Sequence, residues 1–331
     1  VFADHTSIAA WRWDDDVAQH VANGLNGPTG GVRKYCVQYR ESDLDFVQRI
    51  LAEEGLSWRV EEDTAAPGGH TMVIFANSLN QAQDPTSGTT LGGKGIRFHR
   101  SSSQEEQDSI QALGAWRQLG QAGGSMGTTV LGWDYESNRA IVADVPTNHQ
   151  WGGKEASTLQ SWLTSYDPVA DGLYSHPAQA QFAATTMQQA REARLKLWMG
   201  EGTVRTMRSG TWFGLSQSTL DSINPHDEDK EFFVTAVRAM GINNLPKDLS
   251  DTIAKTLGVG PLQALLQATQ DNGIFERHDV DTASLQTKAA QSGFANQFEA
   301  IRRNVPWRTV LMDDTGLRPR PRATAWGPQT A

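Results

Sequence analysis

The chain has 331 residues, 38% hydrophobic and 20% charged, a composition with room for more than one packed core. Lys plus Arg at 29 against Asp plus Glu at 38 leaves a net charge of -9. That balance argues against a general nucleic-acid binder, because neutralising phosphates needs a basic surface.

Cys36 is the sole cysteine, which excludes an intrachain disulfide and a multi-cysteine metal site and makes the cytoplasm the natural folding compartment. No apolar run reaches the roughly 18 to 20 residues of a spanning helix. The opening VFADHTSIAAWRWDDD lacks the basic-then-apolar order of a secretory signal. It does not begin with Met, so a fragment of a longer protein is expected. Glycine, at 31 and scattered, suits a β-rich chain with many turns.

In residues 1–31, Ile8, Trp11, Val17 and Val21 suggest a helix that GLNGPTGG breaks. Tyr35, Val37 and Tyr39 alternate with Cys36, Gln38 and Arg40, which predicts a strand. Ser42, three positions before Asp45, offers a helix cap, and Leu44, Val47, Ile50 and Leu51 follow at helical spacing until Gly55 supplies a left-handed stop. Leu56, Trp58 and Val60 return to alternation. PGG at 67–69 turns the chain into a second strand with Thr71, Val73 and Phe75. A helix on a small antiparallel sheet is the economical packing.

Residues 81–95 are polar and Gly-rich, a boundary. Beyond them Ile96 and Phe98 point one way, and Thr129, Leu131, Trp133 and Tyr135 alternate cleanly, with 140–145 as the next strand. Pro146, Pro168 and Pro177 mark an irregular stretch. Residues 178–198 lack Gly and Pro and predict a long helix. Strands are expected at 203–208, 211–216 and 231–240, then helix over 247–304 with caps at Ser250 and Gly258. The Pro- and Arg-rich tail from 305, with Arg318, Arg320 and Arg322, reads as a solvated extended arm.

Gly123, Ser125 and Gly127 form G-x-S-x-G, the pattern of a nucleophile elbow. An elbow needs a strand before the serine and a helix after it, whereas a strand follows here. Lys94 among Gly92, Gly93 and Gly95 lacks the Ser or Thr and the helix of a phosphate loop. His5, His20, His70, His99, His149, His176, His226 and His278 never pair at a helical ligand spacing. HDEDKE at 226–231 lacks the glycine of a calcium loop and reads as a solvated turn. Glu53 and Glu54 are expected on the exposed helix face, without an apolar pocket to separate their pKa values. No catalytic, cofactor-binding or metal-binding residue is expected, and no cofactor.

The string YCVQYRESDLDFVQRILAEEGLSW resembles the signature of VgrG, the spike family of bacterial type VI secretion, at Tyr35, Gln38, Tyr39, Arg40 to Asp43, Phe46, Val47, Arg49 and Glu53 to Gly55. HRSS at 99–102, GTWFGL at 210–215, EFFVTAVRAMGINN at 231–244, FANQFEAIRRNVPWR at 294–308 and the final PRATAWGPQTA continue the resemblance in the family's order. It implies an α+β, β-rich fold: a phage tail hub-like antiparallel β-barrel domain, a small strand-helix-strand α/β domain and a helical insertion. The implied domains are 1–31, a remnant of a first barrel and linker; 32–90, the small α+β domain; 91–306, a second tube-like barrel with helical segments at 178–200 and an insertion at 247–304; and 307–331, a linker toward an absent OB-fold.

The role so implied is structural, not enzymatic. A homotrimer forms a pseudo-sixfold hub that caps the hexameric inner tube of Hcp type and carries the needle. Its partners are effectors or adaptors, a tip protein and baseplate components, with no nucleic acid. Such a protein assembles in the bacterial cytoplasm and leaves through the type VI apparatus without a signal peptide. The alternatives are a phage or prophage tail baseplate hub and, distantly, a serine hydrolase using Ser125. The 11 tryptophans suit either a core or an intersubunit interface.

Overall fold

A computed structural model describes residues 1–24, 36–39, 41–89, 95–99, 108–117, 127–134, 136–148, 164–168, 174–218, 227–241 and 282–309, together with Thr252 and Thr256. The first layer contains β1 (Ala10–Trp13), α1 (Asp15–Ala22), α2 (Asp43–Glu53), β2 (Ser57–Glu62) and β3 (His70–Phe75). Ser42 caps α2: its Oγ accepts the Asp45 amide at 3.2 Å and donates to the Asp45 carboxylate at 2.8 Å. The helix stops as the sequence predicts. Gly55 adopts φ +70°, and the Gly55 and Leu56 amides turn back to the carbonyls of Ala52 and Leu51.

Two expectations fail in this layer. Residues 36–39 are irregular, because they are tied to α2 rather than to a partner strand: Arg49 donates to the Val37 carbonyl, and the Gln38 amide to the Glu41 carbonyl and the Asp43 carboxylate. Trp11 belongs to β1 instead of a helix. β1 runs parallel to β3 and β2 antiparallel to it, in the order β1-β3-β2, so the small sheet is mixed.

The two faces of this sheet have different neighbours. Trp13, Ile74 and Trp58 form one row across its helix-side face, where central Ile74 packs with Val17, Leu51, Leu56 and Ala76 while the two tryptophans stay exposed. From the opposite face Phe75 packs with Ala193, Leu197, Phe233 and Ile301 of the second layer. Leu44, read as part of the buried stripe, is 64% exposed, one turn short of this core.

The second layer follows α3 (Pro85–Thr89). It contains β4 (Ile96–Arg97), β5 (Ile110–Arg117), β6 (Gly127–Asp134), β7 (Arg139–Pro146), β8 (Thr164–Pro168) and α4 (Pro177–Leu195). β9 (Lys196–Gly202), β10 (Trp212–Ser216), β11 (Glu231–Gly241), α5 (Thr282–Ser292) and β12 (Phe294–Arg302) complete it. A six-stranded sheet has the order β4-β10-β11-β12-β9-β5. A bridge between Phe98 and Ile110 brings its two edges together, so the sheet curls into a barrel-like wall. Ile96, Ile110, Trp198, Phe213, Phe232 and Phe298 fill its interior.

The helix expected over 178–198 ends at Leu195, because Lys196 onward pairs with both β5 and β12. Residues 203–208 are turns rather than a strand. The helical reading of 247–304 holds over Thr282–Ser292, but Phe294–Arg302 is a strand between β11 and β9. Residues 247–251, 253–255 and 257–281 lie outside the described residues.

β7-β6-β8 form a third sheet, laid on α4. Ala180, Ala183 and Ala184 let α4 approach Val130, Ile141, Ala143 and Val145 closely. Its buried polar residues satisfy one another and the neighbouring sheet. Thr128 donates to Gln188 at 2.8 Å, Gln188 to Glu192 at 3.0 Å and Thr147 to Glu192 at 2.6 Å. The fold is α+β and β-rich with a curled half-barrel sheet, the class that the sequence implies.

Candidate functional site

The signature string first resolves into an ion-pair cluster. Arg49, on α2, donates to Glu41 at 2.6 and 3.1 Å, to Glu53 at 3.1 Å and to the Val37 carbonyl at 3.0 Å. The three side chains are only 8–11% exposed, and the Glu41 carboxylate holds the guanidinium pKa above its usual value. Glu53 is therefore a structural partner. Glu54 is buried, at 5% exposure. Both depart from the exposed placement expected of them: Glu53 is shielded by its pairing with Arg49 beside Glu41, and Glu54 lies where the end of α2 meets Phe182 and Thr186 of α4.

At that same end, His20 on α1 lies 2.8 Å through Nε2 from the Glu54 carbonyl. Arg308 donates to the next carbonyl, that of Gly55, at 2.9 Å, to the Ala76 carbonyl, and through Nε to Gln189 of α4 at 2.9 Å. Burial pushes both the His20 and Arg308 pKa values down. The Trp307 amide donates to Ser78 Oγ at 2.9 Å, and the Thr309 and Ser57 hydroxyls lie 3.0 Å apart. Sequence reasoning missed Arg308 as a junction residue; its only signal was its place in the string FANQFEAIRRNVPWR.

Asp84 sits where the chain passes between the layers. One oxygen accepts the Thr86 and Ser87 amides and the Thr206 hydroxyl, and burial raises its pKa. Among the described residues no group of three or more His, Cys, Asp or Glu is placed to hold a metal ion. Ser125 lies outside the described residues, but Gly127, two positions on, opens β6. The element after the serine is thus a strand, not the helix of an elbow. Asp227–Lys230 is a single 3-10 turn, and Glu231 pairs with Arg303 at 2.8 Å.

The remaining feature is a largely apolar outer face, interrupted by the exposed Thr129–Asp144 hydrogen bond. On β7-β6-β8, Trp133 is 42% exposed, Val142 54% and Tyr166 58%, with Leu131 beside Val142 in register. The inward residues of the same strands cover α4. Exposed apolar clusters of this kind mark contact surfaces. Trp13 and Trp58 are exposed on the small sheet, whereas Trp198 is core.

A family model described as phage tail baseplate hub (GPD) matches residues 3–245. The chain belongs to the phage tail baseplate hub family. This hub chain is also VgrG-like. It is 39% identical over 69 residues to the actin cross-linking toxin VgrG1 of Vibrio cholerae serotype O1, covering 20% of this chain and 6% of that protein. It is 32% identical over 110 residues to the type VI secretion system spike protein VgrG4b of Pseudomonas aeruginosa, covering 33% and 12%. The hub chain thus spans a small part of either relative. Among solved structures, the tail protein from Neisseria meningitidis MC58 is similar with a TM-score of 0.47 at 10% identity, over 96% of this chain and 67% of that one. The 43 kDa tail protein of prophage MuSo2 from Shewanella oneidensis has a TM-score of 0.42 at 10% identity, over 91% and 61%.

Proposed function

We propose that the chain is the hub portion of a type VI secretion spike and acts by assembly rather than catalysis. Three copies around one axis form a pseudo-sixfold ring that caps an Hcp-like hexameric tube. The ring carries a needle, a tip protein and effectors or their adaptors, docks on baseplate components and leaves the cell through the apparatus. The observation that carries this reading is the outward apolar face of β7-β6-β8. One side of those strands fills the core under α4, while the other leaves Trp133, Val142 and Tyr166 exposed, as a contact with a neighbouring copy requires.

The test is the mass and symmetry of the full-length protein, by light scattering and electron microscopy, with and without tube protein. A trimer that stacks on hexameric tubes is expected. Paired Trp133→Glu and Val142→Glu substitutions should weaken it at least tenfold, because they place charge in a desolvated contact. A monomer at every concentration would sink the proposal. The family model itself favours a second reading, a phage or prophage tail baseplate hub; neighbouring tail genes in place of secretion genes would support it. Hydrolysis of an activated ester that is lost in Ser125→Ala would overturn the non-enzymatic reading.

A further inference from the structure

We propose that the junction of α1, the end of α2, α4 and residues 307–309 is a proton-sensitive latch. It holds the small sheet to α4 while His20 is neutral and loosens when His20 takes a second proton. The geometry is a cluster at a joint. His20 Nε2 donates to the Glu54 carbonyl, so the neutral ring carries its proton there and Nδ1 receives the next one. Arg308 already places a full positive charge on the adjacent Gly55 carbonyl and on that of Ala76.

Among the described residues, the groups that face the imidazole are few. α1 contributes Asp16, whose carboxylate accepts the Ala76 and Asn77 amides at 3.1 and 2.9 Å. The end of α2 contributes Glu54, and the segment after β12 contributes Arg308. α4 presents Phe182, whose ring centroid lies 5.2 Å from that of His20, with Thr186 and Gln189, none of them charged. The contact is close: a Cβ added at Gly55 would lie 3.0 Å from Thr186 and 3.3 Å from His20 Nε2, and one at Gly24 would lie 3.2 Å from Phe182.

Burial first, then Arg308, hold the His20 pKa below its ordinary 6.5, against the opposing pull of the Glu54 carbonyl, Asp16 and Glu54. A released His20 protonates at that ordinary value. The closed junction is therefore fully favoured above it, and its advantage is lost as pH falls from there through the lower value of the closed state. Each unit of displacement corresponds to about a tenfold change in the closing equilibrium.

Hydrogen exchange of the whole chain between about pH 8 and pH 5, corrected for intrinsic rates, tests this at residues 54–56 and along α4. Protection there should fall several-fold at the acid end, while β11 keeps its own. His20→Gln retains an amide donor for the Glu54 carbonyl without a titrating group. It should keep the protection seen near pH 8 and flatten the acid response. A parent chain with no acid response, or a His20→Gln chain with the parent's response, overturns the latch. In a proton NMR titration, Arg308→Gln should raise the His20 midpoint and Arg308→Lys should not. A midpoint that both variants leave in place would remove Arg308 from the device and overturn it as stated.

Discussion

At Arg49 three acceptors from two segments converge on one guanidinium, and almost no water reaches them. Removing the cation leaves Glu41 and Glu53 facing each other in a poorly solvated site. Arg49→Ala should therefore cost about 3 kcal/mol of unfolding free energy, well above a surface ion pair. Urea denaturation measures it, and a loss under about 1 kcal/mol would mean that the cluster is solvated after all. Ser42 and Gly55 were legible in the sequence because a cap and a left-handed stop are local chemistry. The burial of Glu54 was not. Helical periodicity says which residues share a face, but α4, the element that covers this end of α2, comes from far along the chain.

Among the elements, β9 and β12 show what short-range pattern conceals. Leu197 and Trp198 continue the apolar points of α4 at helical spacing, yet they belong to a strand held between β5 and β12. Phe294–Arg302 falls inside the stretch expected to be helical, and its alternation of Phe298 and Ala300 emerges only beside two partner strands. Strands such as β6 and β7, with a turn between them, were plain because their partner lies next in sequence. Gly200 shows how closely β9 and β12 fit. It sits opposite Phe298, and a Cβ there would overlap the Phe298 ring, which also meets Phe213 edge-on at 5.6 Å. Gly200→Ala should cost about 1–3 kcal/mol by overpacking, read from the thermal midpoint. Phe298→Leu in the same chain should recover part of that loss; no recovery would place the strain elsewhere.

For the molecule as a whole, the decisive joint lies between the small sheet and the curled sheet. Phe75 is its pin: buried, edge-on to Phe233 at 6.4 Å, and covered by the Arg59 guanidinium at 5.6 Å. Phe75→Ala should remove about 3–5 kcal/mol and uncouple the layers, so that calorimetry resolves two transitions where the parent shows one. A single transition, shifted but not split, would mean that other contacts hold the joint. The barrel class and the small layer were legible from alternation, Gly content and the signature string. The joint was not, since Phe75 looks like any inward strand residue until the second sheet arrives.

Beyond β12 the chain crosses back over the small layer and is fastened there by Trp307 to Ser78, Arg308 to Gly55 and Ala76, and Thr309 to Ser57. Tension applied to residues beyond Thr309 thus reaches the small sheet before it reaches the barrel. These fastenings engage several backbone and side-chain groups at one sheet end, so the load is shared among them and β12 is spared from being peeled out of its ladder bond by bond.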